Sequence, residues 1–204
     1  MAKRLLPLVL IVTIVAALLA ADKTEVAVGQ KAPEFDLFGV GYKYHSLADY
    51  PDAKAVVVVF TCNHCPVAKG YEETLVALAK EYQPRGIQFL AINPNPADMV
   101  EADGFPEMIE RAKELKLPYP YLYDERQKVA KAYGATVTPH VFVAGPDRTI
   151  VYKGSVDNRH DKPDYLADAL DDILAGKEVR KKEAAAFGCS VKYRPEPKEK
   201  EKAG

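Results

Sequence analysis

An α/β fold with a central mixed β-sheet flanked by helices is predicted by three features of the sequence. Residues 55–60 are an unbroken, β-branched apolar run of strand length, and residues 87–92 are a second apolar run broken only by Gln88, the pattern of strands buried on both faces. The segments that follow each run carry apolar residues every three to four positions, the spacing of amphipathic helices. Later, residues 141–144 and 149–152 flank Gly145-Pro-Asp-Arg148, a hairpin signal that adds antiparallel strands to the strand–helix–strand units.

The elements follow in order. Lys3 and Arg4 precede an apolar stretch, residues 5–21, broken only by Pro7 and Thr13, and charge resumes at Asp22. This reads as an export signal. Small residues close it at Ala20 and Ala21, but Leu18 or Leu19 stands where a small residue is preferred. Residues 1–21 are therefore a signal peptide or an N-terminal membrane anchor. No cysteine follows the apolar run, so a lipid-anchored form is not expected. Either way the remainder is expected outside the cytoplasm, in a periplasmic or extracytoplasmic setting. A single domain is expected over residues 26–176.

After the 55–60 strand, Val67, Tyr71, Leu75, Leu78 and Tyr82 mark a helix that Gly86 stops. Strand 87–92 leads into a loop, Asn93-Pro94-Asn95-Pro96, and then a helix over about 107–115 with Met108, Ile109, Ala112 and Leu115 on one face. Residues 121–123 form a short strand, in which the alternating Tyr119, Tyr121 and Tyr123 read as strand packing. A helix over 127–133 ends at Gly134, and the last helix, 165–174, is capped by Gly176. Arg159-His160-Asp161 and Asp171-Asp172 read as solvated surface. Residues 177–204 form a C-terminal extension with the basic run Arg180-Lys181-Lys182. Its charged end beyond about Tyr193 has the composition of a solvated, disordered tail. The net charge of −1 over 204 residues gives no basis for nucleic-acid binding.

The chemistry concentrates in Cys62-Asn63-His64-Cys65-Pro66, where the 55–60 strand gives way to the helix. Two thiols separated by two residues in the first turn of a helix form a dithiol suited to redox exchange. The unpaired N–H groups and the positive end of the helix stabilise a thiolate there. By this reading Cys62, at the open end, is the nucleophile and Cys65, one turn in, is the resolving thiol. A protonated His64 between them favours the thiolate further, and a stabilised thiolate makes the dithiol a stronger oxidant. Pro66 fits the first turn, where a missing N–H costs little. A structural zinc site would need a second Cys-x-x-Cys, and the sequence has none. Thr138-Pro139 lies just ahead of the hairpin, and a proline entering a central strand is expected to be cis or at a strand start.

These residues resemble the thioredoxin-like superfamily, over roughly residues 26–176: Cys62-x-x-Cys65 after a strand, Thr138-Pro139 before a hairpin, and a closing helix. The entry segment Gly29-Gln-Lys-Ala-Pro33-Glu-Phe35-Asp-Leu37 resembles the start of its peroxiredoxin-like (AhpC/TSA, redoxin) branch. Phe60-Thr-Cys-Asn-His-Cys-Pro66 and the late Phe187-Gly-Cys-Ser-Val-Lys-Tyr193 resemble a little-characterised redoxin subgroup. The resemblance implies an exported thiol–disulfide oxidoreductase that needs no cofactor. It acts on a protein thiol or disulfide and is recycled by a membrane or periplasmic redox partner. It also implies that Pro139 is a cis-proline packed on the dithiol and that the Thr138 backbone pairs with a bound peptide. Thr61, Asn63, His64 and Pro66 then tune the thiols or shape the groove. The sequence departs from thioredoxins at Thr61, where they have tryptophan, and on the 56–60 strand, which lacks their buried carboxylate. His64 matches the histidine of DsbA-type oxidants, with Asn63 in place of their proline.

Two other functions bear on the same residues. A thiol-dependent, antioxidant peroxidase would use Cys65-Pro66, but Cys62 stands three positions upstream where peroxiredoxins place a threonine. Arg148 is the one arginine near the hairpin available to assist. A Sco-type copper chaperone would use Cys62, Cys65 and His140 as a Cys₂His set, although that family spaces its cysteines by three residues. Cys189, the odd cysteine, is a candidate third redox thiol or a packed thiol under Phe187.

Overall fold

The computed structural model describes residues 25–158 and 164–195. The signal or anchor at 1–21, Arg159-His160-Asp161 and the charged end from 196 lie outside these residues. Among the described residues no helix is long and apolar enough to cross a membrane.

A small hairpin of β1 (Leu37–Phe38) and β2 (Tyr44–His45) precedes β3 (Ala55–Phe60). Helix α1 (Pro66–Tyr82), β4 (Ile87–Asn93), α2 (Phe105–Leu115), β5 (Tyr121–Tyr123) and α3 (Lys128–Tyr133) follow. Then come β6 (Val137–Thr138), β7 (His140–Ala144), β8 (Ile150–Gly154), α4 (Tyr165–Leu174) and β9 (Cys189–Ser190). The central sheet has the order β5-β4-β3-β7-β8. β3, β4 and β5 run parallel, β7 pairs antiparallel with β3, and β8 pairs antiparallel with β7. This is the expected thioredoxin-like arrangement, a mixed sheet flanked by helices.

Strand β3 lies at the centre of the sheet and is buried along its whole length, which accounts for its unbroken apolar sequence. Its side chains alternate between two cores. Val56, Val58 and Phe60 join Leu90, Ile92, Phe142 and the α3 residues Val129, Ala130 and Tyr133. Ala55, Val57 and Val59 face Leu75, Leu78, Ala79 and Tyr82 of α1 and Leu166, Ala169 and Leu170 of α4. Met108 anchors α2 over Ala91 and Tyr121 at the β5 edge.

Helix α1 begins one residue after the second cysteine. Cys65 has extended backbone angles (φ −72°, ψ 119°) and is the N-cap, with Pro66 in the first turn. Cys62 therefore precedes the helix and does not sit in its first turn. Two features had no clear sequence signal: the β1–β2 hairpin, and β9, which returns the chain after α4 to pair antiparallel with β6. Asp172 also differs from expectation. It is 5 % exposed and accepts hydrogen bonds from the Arg180 N–H and Nε, each at 3.0 Å, tying α4 to the segment beyond it.

Candidate functional site

The parallel register of β3 with β4 brings the ends of both strands, and the loops that leave them, to one edge of the sheet. Cys62, Asn63, His64 and Cys65 occupy the loop after β3, and Thr61 N–H bonds back to Ile92 O at 2.9 Å. The peptide bond between Thr138 and Pro139 is cis, as the resemblance implied. The Thr138 hydroxyl lies 3.1 Å from Cys62 Sγ, and Cys65 Sγ donates to Thr138 O at 3.3 Å. The two sulfurs thus sit against one residue of β6. Cys62 is 2 % exposed and Cys65 is fully buried.

A carboxylate that sequence reasoning did not find organises the loop. Asp103, fully buried, accepts from the N–H of Asn63 (2.7 Å) and of His64 (3.1 Å) through Oδ1. Its Oδ2 lies 2.5 Å from His64 Nδ1 and accepts from Asn95 Nδ2 at 2.8 Å. Asn93 Nδ2 donates to the Asp103 backbone oxygen at 2.8 Å, Asn63 Nδ2 to Ala102 O at 2.9 Å, and Tyr121 OH to Asn63 Oδ1 at 3.0 Å. The β3 strand lacks a carboxylate, but one arrives from the chain forty positions later. Asn93 and Asn95 read as ordinary loop residues in sequence, and both are fully buried here. Their place after a parallel strand beside the dithiol strand was the available hint, since sites gather at the carboxyl ends of such strands. Asp103 has no comparable signal.

The electrostatics separate the two thiols. Burial, with the Asp103 carboxylate next, pushes Cys62 up to about 12, against the lowering effect of the Thr138 hydroxyl and the Cys65 backbone. Burial also opposes ionisation of Cys65. It is outweighed by hydrogen bonds from the Cys189 thiol, the N–H groups of Ala68 and Cys189, and Thr138, so the Cys65 pKa is lowered. Ala68 N–H reaches the Cys65 sulfur at 3.4 Å, an N-capping interaction made by a thiol. The thiolate expected at Cys62 is thus favoured at Cys65, through the neighbouring Cys189 thiol first and the helix-capping Ala68 N–H second.

The remaining expected residues fall in different places. Cys189 packs against Cys62, Cys65 and Ala68, and Thr138 stands opposite it in the β6–β9 pair. His140 is paired with Phe60 across the sheet and lies against Phe142, the rings tilted by 36° with 4.5 Å between centroids. Burial pushes its pKa down to about 4. Among the described residues, the ligand atoms gathered within 4.8 Å of one another belong to Cys62, His64 and Asp103, so His140 is not part of that set. The Asp103 oxygens in it are already engaged by the donors named above. Arg148 lies at the opposite end of β3, where its guanidinium bonds to the backbone oxygens of Tyr50, Ala53 and Gly145.

The chain is 31% identical over 124 residues to the thiol-disulfide oxidoreductase ResA of Geobacillus thermodenitrificans, a match covering 60% of this chain and 66% of that protein. The chain thus spans just under two thirds of the length of that relative. Among solved structures, an uncharacterized conserved protein from Geobacillus kaustophilus superposes with a TM-score of 0.80 at 38% identity, covering 85% of this chain and 96% of that one. A hypothetical protein from Sinorhizobium meliloti 1021 gives 0.79 at 32%, with 84% and 97% covered. The AhpC/TSA family model matches residues 28–153, the stretch that contains β3, the Cys62–Cys65 loop and the cis-proline, and the chain belongs to the AhpC/TSA family.

Proposed function

We propose that the protein is an exported thiol–disulfide oxidoreductase in which Cys62 and Cys65 are the exchanging pair. The observation that carries this reading is the asymmetry of the two sulfurs, one held as a thiol and the other favoured as a thiolate at a helix N-cap. In the oxidised pair an incoming thiolate attacks Cys62 Sγ, and Cys65 leaves, because the thiol of lower pKa is the better leaving group. In the reverse sense Cys65 attacks a mixed disulfide on Cys62, closes the Cys62–Cys65 bond and releases the partner as thiolate. The Asp103 network fixes the loop between the sulfurs, and Thr138 positions both. The substrate is a protein thiol or disulfide, and a membrane or periplasmic redox partner restores the pair. The name of the ResA relative and the leader-like residues 1–21 support this reading.

Insulin-disulfide turnover with Cys62→Ser and Cys65→Ser tests it. Cys62→Ser is expected to abolish turnover, and Cys65→Ser to accumulate a mixed disulfide on Cys62. Full turnover by Cys62→Ser would remove the pair from the mechanism.

A further inference from the structure

We propose that Cys189 is a third exchange thiol, which takes the disulfide from the buried pair and presents it to solvent. The inference rests on the Cys62–Cys65 reading and extends it.

The first support is contact. Cys189 packs against Cys62, Cys65 and Ala68, so Cys65 has two neighbouring thiols, Cys62 on its own loop and Cys189 on β9. The second is fixation. Val191 N–H donates to Thr136 O at 3.0 Å, and the same antiparallel register sets Thr138 opposite Cys189 in a hydrogen-bonded pair. Beyond the strand, Lys192 N–H donates to Asn95 Oδ1 at 2.8 Å and Lys192 O accepts from Gln127 Nε2 at 2.7 Å. Tyr193 OH reaches Ala135 O at 2.7 Å. Asn95 also holds Asp103, so one side chain couples this segment to the dithiol loop. The third is access. Cys62 and Cys65 are buried, whereas Cys189 is partly exposed.

The exchange is balanced without an added oxidant. Cys189, as thiolate, attacks Cys65 Sγ of the Cys62–Cys65 disulfide. The Cys65–Cys189 bond forms and the Cys62–Cys65 bond breaks; Cys62, a poor leaving group as a thiolate, departs as the thiol by taking up the proton that Cys189 gave up. An external thiolate then attacks Cys189 Sγ, and Cys65 leaves as its stabilised thiolate. A second external thiol attacks the outer sulfur of the resulting mixed disulfide. That releases an external disulfide and restores Cys189, so two thiols are oxidised and one protein disulfide is reduced.

The test is disulfide mapping of the full chain after equilibration in oxidised glutathione, alkylation and trypsin digestion. Cys62 and Cys65 fall in peptide 55–69 and Cys189 in peptide 183–192. Wild type is expected to show the internal disulfide of 55–69, and Cys62→Ala a 55–69 to 183–192 cross-link in monomeric protein that disappears in Cys62→Ala/Cys65→Ala. Cys189→Ser is expected to slow oxidation of a dithiol peptide at least tenfold with the internal disulfide intact. An internal disulfide in wild type without the cross-link in Cys62→Ala would overturn the third thiol and leave the pair standing. So would an unchanged rate in Cys189→Ser. A cross-link with no internal disulfide in wild type would overturn the Cys62–Cys65 reading instead.

Discussion

Replacing Asp103 with asparagine perturbs the loop between the cysteines with almost no change in shape. The carboxylate accepts from the N–H groups of Asn63 and His64 through one oxygen, and meets His64 Nδ1 and Asn95 Nδ2 at the other. An asparagine Oδ1 can keep the two backbone bonds. Its NH₂ then stands where Oδ2 was and faces the Asn95 amide donor to donor, while the imidazole keeps a bond only by presenting its unprotonated nitrogen. One to two charge-assisted bonds are lost at a fully buried position, at about 1.5–3 kcal/mol each, for a total of about 3 kcal/mol. With a urea m-value of about 2 kcal/mol/M this lowers the unfolding midpoint by roughly 1.5 M. The chain has no tryptophan and 12 tyrosines, so far-UV circular dichroism with tyrosine fluorescence is the assay.

The same substitution removes the negative charge that, after burial, does most to hold Cys62 protonated. Its pKa should fall from about 12, and its alkylation rate at a given pH should rise, when read in a Cys65→Ser/Cys189→Ser background. A midpoint shift below about 0.3 M together with an unchanged Cys62 pH–rate profile would show that Asp103 neither fixes the loop nor acts on the thiol.

Two buried groups should give acid responses of opposite sign. His140 titrates near 6.5 when unfolded and at about 4 in the fold, so its contribution to stability is lost as pH falls from 6.5 to 4, and His140→Leu should gain on wild type over that range. Burial raises Asp124 from 3.8 to about 6, so stability is gained as pH falls through that window, and Asp124→Asn should lose ground to wild type there. Each difference is on the order of 3 kcal/mol, read from urea titrations at pH 7, 5.5 and 4.5, and parallel curves would refute the assignment. Gly188 has φ +159°, and a Cβ there would lie 2.0 Å from Thr138 O, so Gly188→Ala should open the β6–β9 pair at a cost of roughly 2 kcal/mol. Faster alkylation of Cys65 in that variant is the readout, and a wild-type rate would show that β9 does not shield the sulfur. Glu72 and Arg111 join α1 to α2 at 12% and 19% side-chain exposure. Arg111→Met should cost about 3 kcal/mol by stranding the carboxylate, and Glu72→Met/Arg111→Met should recover most of it in urea midpoints.

Much of the sheet was legible because β3, β4 and β7 are buried on both faces and spell that out as apolar runs. The helices that cover it carry their burial in a 3.6-residue period, and α4 has the expected bounds, Tyr165–Leu174. The dithiol was legible for a similar reason, since its spacing is local. What escaped notice depends on contacts distant in sequence. Asp103 matters through donors on Asn63, His64 and Asn95, and no periodicity marks it. β9 is two residues long and is defined by its partner, not by its own propensity. The thiolate assignment turned on where the helix begins, three residues later than expected. With Cys65 at the N-cap, the converging N–H groups point at the second sulfur and not the first.

That three-residue shift changes what each sulfur is for. A thiolate at the outer cysteine would make the reduced protein a ready nucleophile toward substrate disulfides. A thiolate at Cys65 makes it a ready leaving group, so reactivity lies with the oxidised form and with whichever sulfur is bonded to Cys65. Thr138 touches both loop sulfurs and pairs with Cys189, which places all three thiols around one backbone segment beside the cis-proline. Stabilising the reduced form in this way raises the potential of any disulfide that includes Cys65. Loss of the Ala68 N–H donor should therefore move both Cys65 couples in the reducing direction, whereas a change at Asp103 should act through Cys62.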